Sequence, residues 1–173
     1  MRTLWLLRHA KAARGDSGMR DHERPLEDRG RDAARRVGRF LAERGAVPER
    51  VLCSSSVRTR QTWDELSEML DGPPPCSFER ELYLASAGDL LSRAQGASDE
   101  VESLMLIAHN PGIAELAITL TRSGKPALRA QMLRKFPTCA LAELRFESGA
   151  WIDLSRGCEL ARFQVPRELP AVP

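Results

Sequence analysis

The stretch Ser103-Leu-Met-Leu-Ile-Ala108 predicts a β-strand buried on both faces, because its apolar residues run without polar alternation. The residues His109-Asn-Pro-Gly112 follow it directly. Two shorter apolar runs, Thr3–Leu7 and Val51–Cys53, have the same texture. Uninterrupted runs of this kind are typical of the central strands of a parallel sheet.

Amphipathic stretches separate the apolar runs and predict helices. Apolar side chains recur at helical spacing in Glu27–Arg44 and Arg58–Leu70, and shorter helices are predicted over Gly88–Ala94 and Gly112–Thr121. Alternating strands and helices indicate βαβ crossovers, which give a mainly parallel sheet with helices on both faces. The predicted fold class is therefore α/β, a three-layer α/β/α sandwich.

The last third of the chain predicts antiparallel strands at the edge of this sheet. Two segments, Cys139–Phe146 and Ala150–Leu154, flank a short Gly-containing turn and indicate a hairpin. Gly157–Val165 predicts the last strand. Residues 1–165 are expected to form a single domain, and the proline-rich tail, residues 166–173, is expected to be peripheral.

Composition narrows the functional classes. The 173 residues include 26 basic and 24 acidic ones, and a net charge of +2 argues against a nucleic-acid partner. The four cysteines lack the spacing of metal ligands, and no apolar run approaches the roughly 18 residues that cross a bilayer. The first apolar run is also too short for a signal peptide. We therefore expect a cytoplasmic protein with no membrane partner; the oligomeric state stays open.

Polar side chains follow all three predicted central strands. Arg8 and His9 follow the first strand, Ser54 and then Arg58 follow the second, and His109 follows the third. Ligands of open α/β sheets bind beyond the carboxyl ends of the strands. An arginine at a buried strand end requires an anionic partner, and the start of a helix attracts anions through its free N–H groups. The pattern predicts a phosphate-binding site.

These motifs, taken in order, resemble the histidine phosphatase superfamily, which includes the phosphoglycerate mutases. They are Arg8-His-Ala-Lys11, Ser54-x-x-x-Arg58-x-x-x-Thr62 and Ala108-His-Asn-Pro-Gly112. The first motif is most similar to that of the SixA-type phosphohistidine phosphatase branch, where mutases typically have Arg-His-Gly. The loop Asp21-x-x-Arg24-Pro-Leu-x-x-Arg29-Gly30 also resembles this branch. The resemblance covers residues 4 to about 115 and implies a phosphoglycerate mutase-like fold.

The resemblance implies catalytic roles for four residues. His9 would be the nucleophile that forms a phosphohistidine intermediate. Arg8, Arg58 and His109 would surround the phosphoryl oxygens and stabilise the transition state, so that neither a metal nor another cofactor is needed. A cationic His109 would bind the phosphoryl oxygens better than a neutral one. A neighbouring phosphate would raise the pKa of His109 and so favour the cation. Asn110 is expected to cap the following helix.

Five further side chains are candidates for substrate binding: Lys11, Ser54, Arg24, Arg29 and Glu81. The three cationic ones either reach the mouth of the pocket or remain paired and solvated at the surface. Ser54 lies where the second strand ends. His22 is expected to be a surface residue.

The sequence shows no clear general acid for the leaving group. Glu81 is the first candidate and Asp16 or Asp21 the alternatives, but the SixA-type branch lacks a dedicated acid. The chemistry tolerates this lack, because a phosphoramidate protonated on its imidazole leaves readily, whereas an alkoxide needs help.

Three functions remain open at this point. The first is a metal-independent phosphatase acting on phosphohistidine of another protein, since the short connection from Tyr83 to Ser103 leaves no room for a cap. The second is a phosphomonoesterase acting on a small phosphorylated substrate such as a sugar phosphate or nucleotide. The third is a non-catalytic phosphate-binding module.

Overall fold

The computed structural model describes residues 1–173, which form one seven-stranded sheet with five α-helices. The strands are β1 (Arg2–Arg8), β2 (Arg50–Ser54), β3 (Cys76–Glu79), β4 (Ser103–Ala108), β5 (Thr121–Gly124), β6 (Leu141–Phe146) and β7 (Cys158–Gln164). The helices are α1 (Asp28–Glu43), α2 (Val57–Ser67), α3 (Ala87–Gln95), α4 (Gly112–Leu120) and α5 (Pro126–Arg134). None of the helices is both long and apolar enough to span a membrane.

The strand order is β3-β2-β4-β1-β6-β7-β5. The strands from β3 to β1 are all parallel, whereas β6 runs antiparallel to β1 and β7 antiparallel to β6. The outermost strand, β5, pairs in parallel with β7. This topology confirms the mainly parallel sheet with antiparallel C-terminal strands.

Two apolar cores lie on opposite faces of the sheet. Leu4 and Leu6 of β1 pack in the core that includes α3 and α4, whereas Trp5 and Leu7 pack in the core that includes α1 and α2. All four side chains are at most 3% exposed. Because successive residues of a strand point to opposite faces, burial on both faces explains the uninterrupted apolar runs.

The predicted hairpin strand Ala150–Leu154 is wrong, because residues Trp151–Arg156 form a 3₁₀-helix instead. Trp151 is fully buried, and its indole Nε1 donates a hydrogen bond to the Val101 carbonyl at 2.8 Å. The antiparallel partner of β6 is therefore β7. A short apolar run has no period long enough to distinguish a strand from a helical turn.

Three elements went unrecognised in the sequence: β3, β5 and α5. The short edge strand β3 follows three consecutive prolines, Pro73–Pro75, and leads into a 3₁₀-helix over Arg80–Leu82. Helix α5 buries one side chain, Met132, so its apolar pattern is weak. The tail is also less peripheral than expected: Leu169 is 9% exposed and packs in the core beside α1.

A close backbone contact positions the start of α1 beside residues 9–11, named the nucleophile loop after the role predicted for His9. A Cβ atom on Gly30 would lie 2.2 Å from the Lys11 carbonyl oxygen, so this approach requires glycine. The same carbonyl accepts a hydrogen bond from the backbone N–H of Glu27 at 2.9 Å. The chain that follows His9 is thereby fixed against α1.

Candidate active site

The carboxyl ends of β1, β2 and β4 bring the predicted residues into one pocket. The rings of His9 and His109 are 5.2 Å apart between centroids. Arg58, in the first turn of α2, is 3% exposed and contacts His109. Adjacent parallel strands end at the same edge of the sheet, so residues distant in sequence meet there.

His9 has the tautomer that a nucleophile needs. Its Nδ1 lies 2.7 Å from the Ala10 carbonyl oxygen, an acceptor, so Nδ1 carries the proton and Nε2 keeps its lone pair. Burial, reinforced by the charges of Arg58 and Arg8, lowers the pKa of His9 to about 4, although the bond to Ala10 opposes this shift. The ring is therefore neutral at physiological pH.

His109 is held between a hydroxyl and a guanidinium. Arg58 Nη2 donates to its Nδ1 at 3.3 Å, which leaves Nε2 to donate to the Ser54 Oγ at 2.7 Å. Burial, followed by the charges of His9 and Arg58, lowers the pKa of His109 to about 3. The protein alone thus favours a neutral His109, contrary to the cation expected from the sequence, and a phosphoryl group would have to raise this pKa.

Asp21 is ion-paired within the site. Its carboxylate accepts hydrogen bonds from the Tyr83 hydroxyl at 2.5 Å, from Arg24 Nη1 at 2.9 Å and from Arg58 Nη2 at 3.0 Å. These bonds, with that of Tyr83 the strongest, hold the pKa of Asp21 well below its usual range. Asp21 therefore lacks the proton that a general acid donates. The ion pair does not support the role of general acid that the sequence offered for Asp21 as an alternative.

Arg8 and Asn110 share one backbone anchor. Arg8 Nη1 and Asn110 Nδ2 donate to the Phe136 carbonyl at 2.9 and 3.1 Å. Helix α4 has Pro111 at its N-cap position, so the expectation that Asn110 caps this helix is wrong. Arg8 Nε is buried without a hydrogen-bond partner, which leaves a donor for an anion.

The other sequence candidates fall into two groups. Ser54 and Arg24 belong to the site, through His109 and Asp21 respectively. Arg29 is exposed and pairs with Glu27 at 2.6 Å, and Glu81 is exposed without a hydrogen bond to any site residue. These placements do not support a substrate contact for Arg29 or Glu81. Lys11 and Asp16 are exposed, and the side chain of neither makes a hydrogen bond.

Three residues complete the site but were given no role from the sequence. Tyr83 lies edge-on to both His109 and His22, with centroids 5.4 and 4.7 Å apart. His22 is half-buried, and its Nε2 lies 2.9 Å from the Ser55 Oγ, so it is more than a surface residue. Thr62 Oγ1 accepts from the Ala10 N–H at 2.9 Å and donates to the Arg58 carbonyl at 2.7 Å. It thereby joins the nucleophile loop to α2.

A neutral histidine with a free Nε2, close to two arginines and a second histidine at the edge of an α/β sheet, is an arrangement capable of phosphoryl transfer. Residues 4–93 match the family model of the histidine phosphatase superfamily (branch 1). The chain belongs to this superfamily, and it is a phosphatase.

Relatives extend this similarity along the chain. The uncharacterized protein Rv1276c of Mycobacterium tuberculosis is 37% identical over 93% of this chain and 100% of its own. The phosphohistidine phosphatase SixA of Escherichia coli is 30% identical, covering 84% of this chain and 87% of its own. A solved structure assigned as SixA from Nakamurella multipartitia has a TM-score of 0.82 and 30% identity, over 95% and 96% of the two chains. A SixA complex with tungstate has a TM-score of 0.77 and 25% identity, over 96% and 98%.

The lowered pKa values make stability depend on pH. In the unfolded state both histidines have a pKa near 6.5, whereas in the folded state the pKa is about 4 for His9 and about 3 for His109. The unfolded state therefore binds more protons, and the free energy of unfolding is expected to fall as pH drops from 6.5 towards 4. Thermal melts across this range should show a smaller loss in the double variant His9→Gln, His109→Gln. Equal losses in both proteins would contradict the buried neutral rings.

Proposed function

We propose that the protein removes phosphate from phosphohistidine on another protein, through a phosphohistidine intermediate on His9. The observation that carries the proposal is the combination of a free Nε2 on His9 with a site that offers no protonated carboxyl group. The first feature supports covalent catalysis, and the second favours a substrate whose leaving group needs little protonation.

In the first step the lone pair of His9 Nε2 attacks phosphorus in line with the scissile bond. The P–N bond to the substrate imidazole breaks, and the imidazole departs as a neutral ring because its other nitrogen is already protonated. The hydrogen bond from His9 Nδ1 to the Ala10 carbonyl keeps the ring oriented and stabilises the positive charge that develops on it.

In the second step a water molecule attacks the phosphorus of phospho-His9. The P–N bond to Nε2 breaks, inorganic phosphate leaves, and the water proton passes to the phosphate. Arg8 and Arg58 carry the charge-assisted hydrogen bonds to the phosphoryl oxygens in both steps. The second histidine, His109, lies 5.2 Å from His9 between ring centroids, so its ring borders the same pocket.

The accessible groups around the pocket support phosphohistidine over a phosphoester. Asp21 is held ionised by Tyr83, Arg24 and Arg58, and Glu81 is exposed away from these contacts. An alkoxide leaving group would need a proton that neither carboxylate supplies. The connection between Tyr83 and β4 contains only the nine-residue helix α3, so no cap domain is inserted there. An open pocket suits a phosphorylated side chain on a folded partner.

Substrate comparison tests the proposal. The kcat/KM values should be measured with EDTA present on a histidine-phosphorylated protein, p-nitrophenyl phosphate and a sugar phosphate. We expect phosphohistidine to be favoured over the sugar phosphate by at least about 100-fold, because a missing general acid costs phosphoesters with an alkoxide leaving group on the order of 10²-fold or more. The leaving group of p-nitrophenyl phosphate needs little protonation, so this ester serves as the control for phosphoryl transfer itself. Faster turnover of the sugar phosphate would favour the small-molecule phosphomonoesterase instead. Phosphate binding without any turnover would favour the non-catalytic module.

A further inference from the structure

A basic cleft lies beside the phosphoryl-transfer pocket and is not used by the proposed mechanism. Its volume is about 750 Å³, and five cationic side chains line it. Lys11 and Arg29 come from the nucleophile loop and α1, Arg134 and Lys135 from the end of α5, and Arg167 from the C-terminal segment. Four separate parts of the chain thus direct positive charge into one concavity.

Residues that line the cleft are neighbours along the chain of residues that form the phosphoryl-transfer pocket. Lys11 follows His9 by two residues, and the backbone contact at Gly30 fixes it against α1. On the opposite side, Lys135 adjoins Phe136, whose carbonyl anchors Arg8. The backbone segments that hold Arg8 and His9 therefore also carry two of the cleft's cations, Lys135 and Lys11.

Most of the positive charge in this cleft is not neutralised by carboxylates. Glu27 pairs with Arg29 at 2.6 Å, and Glu168 accepts from Gln131 of the cleft at 2.9 Å. No carboxylate is among the lining residues. The side chains of the other four cations make neither an ion pair nor a hydrogen bond; they are Lys11, Arg134, Lys135 and Arg167. Like charges gathered in a concave surface repel one another and concentrate an attractive field for anions.

We propose that this cleft binds a small molecule that carries at least two phosphoryl groups. Its volume of about 750 Å³ lies within the range of small-molecule sites, roughly 300–1,000 Å³. A concave site suits such a ligand better than the broad face of a folded protein. Arginine and lysine are the side chains that bind phosphate, the former through paired N–H donors. Ala33, Pro137 and Val165 supply an apolar wall for the remainder of the ligand.

Calorimetric titration with inorganic tripolyphosphate tests the proposal independently of the protein's substrate. The His9→Ala background prevents turnover of the probe. In it, the cleft variant Arg134→Gln, Lys135→Gln, Arg167→Gln should raise the Kd at least tenfold. The control variant Arg44→Gln, Lys125→Gln, Arg129→Gln removes the same charge from exposed positions outside the cleft and should change the Kd less than twofold.

Equal weakening in the two triple variants would overturn the proposal, since it would reduce binding to an effect of net charge. Absence of measurable tripolyphosphate binding would overturn it as well. Hexaglutamate serves as the comparison probe for an acidic peptide. If hexaglutamate bound more tightly than tripolyphosphate and lost its affinity in the cleft variant, the cleft would be a peptide-docking site and the proposed ligand class would be wrong.

Discussion

Replacing His9 with alanine is expected to lower turnover of a phosphorylated substrate by a factor of at least about 10⁴, because loss of a covalent nucleophile commonly costs that much or more. His9 Nε2 is the group whose lone pair is left free, since its Nδ1 is engaged by Ala10. His109 cannot replace it, because its two nitrogens contact Ser54 and Arg58. Steady-state kinetics of the purified variant provides the measurement.

Folding of the His9→Ala variant must be shown separately. Its phosphate affinity and melting temperature serve this purpose, because Arg8, Arg58 and His109 remain in place to bind an anion. A variant that folds, binds phosphate and still turns over substrate at close to the wild-type rate would show that His9 is not the nucleophile.

Replacing Arg58 with glutamine is expected to reduce kcat by about 10²–10³, the usual cost of losing one strong donor to a transition-state oxyanion. Arg58 is 3% exposed and contacts Asp21 and His109 at the same time. Its loss therefore removes a phosphoryl ligand and also frees the Asp21 carboxylate to repel the substrate. Both effects act in the same direction.

One further variant separates charge from geometry at this position, and a second variant, at Arg60, serves as the control. Arg58→Lys retains the charge but not the planar fork, so an intermediate loss is expected. Arg60→Gln changes a solvent-exposed arginine of the same helix that lies over the Phe78 ring, and it should leave kcat within twofold. A full loss in Arg60→Gln, or none in Arg58→Gln, would contradict the assignment.

The central part of the fold was predictable because its strands are buried on both faces. The runs that became β1 and β4 leave no alternation in the sequence, and the residues directly after them, His9 and His109, meet at one sheet edge. The carboxyl ends of parallel strands lie at one edge of a sheet, so the meeting of these two residues follows from the predicted parallel arrangement. The order of the strands was not predicted.

The loop contacts of the site were not predictable in this way. The sequence motif made Asp21 a candidate acid, but Asp21 lies in a segment without periodicity, and its pairing with Arg58 and Tyr83 was not predicted. The assignment of Asn110 as a cap failed because α4 begins one residue later than that role requires. Helix α5, which forms one wall of the basic cleft, was missed because it buries a single side chain.

The central claim is that phosphate passes through a covalent bond to His9 Nε2. Rapid quenching of the protein during turnover of a radiolabelled phosphohistidine substrate tests it most directly. The account predicts a labelled enzyme whose phosphate is stable in alkali, labile in acid and mapped to His9 by peptide mass spectrometry, with no label in the His9→Ala variant. Full turnover without any labelled enzyme, or label on a different residue, would contradict it.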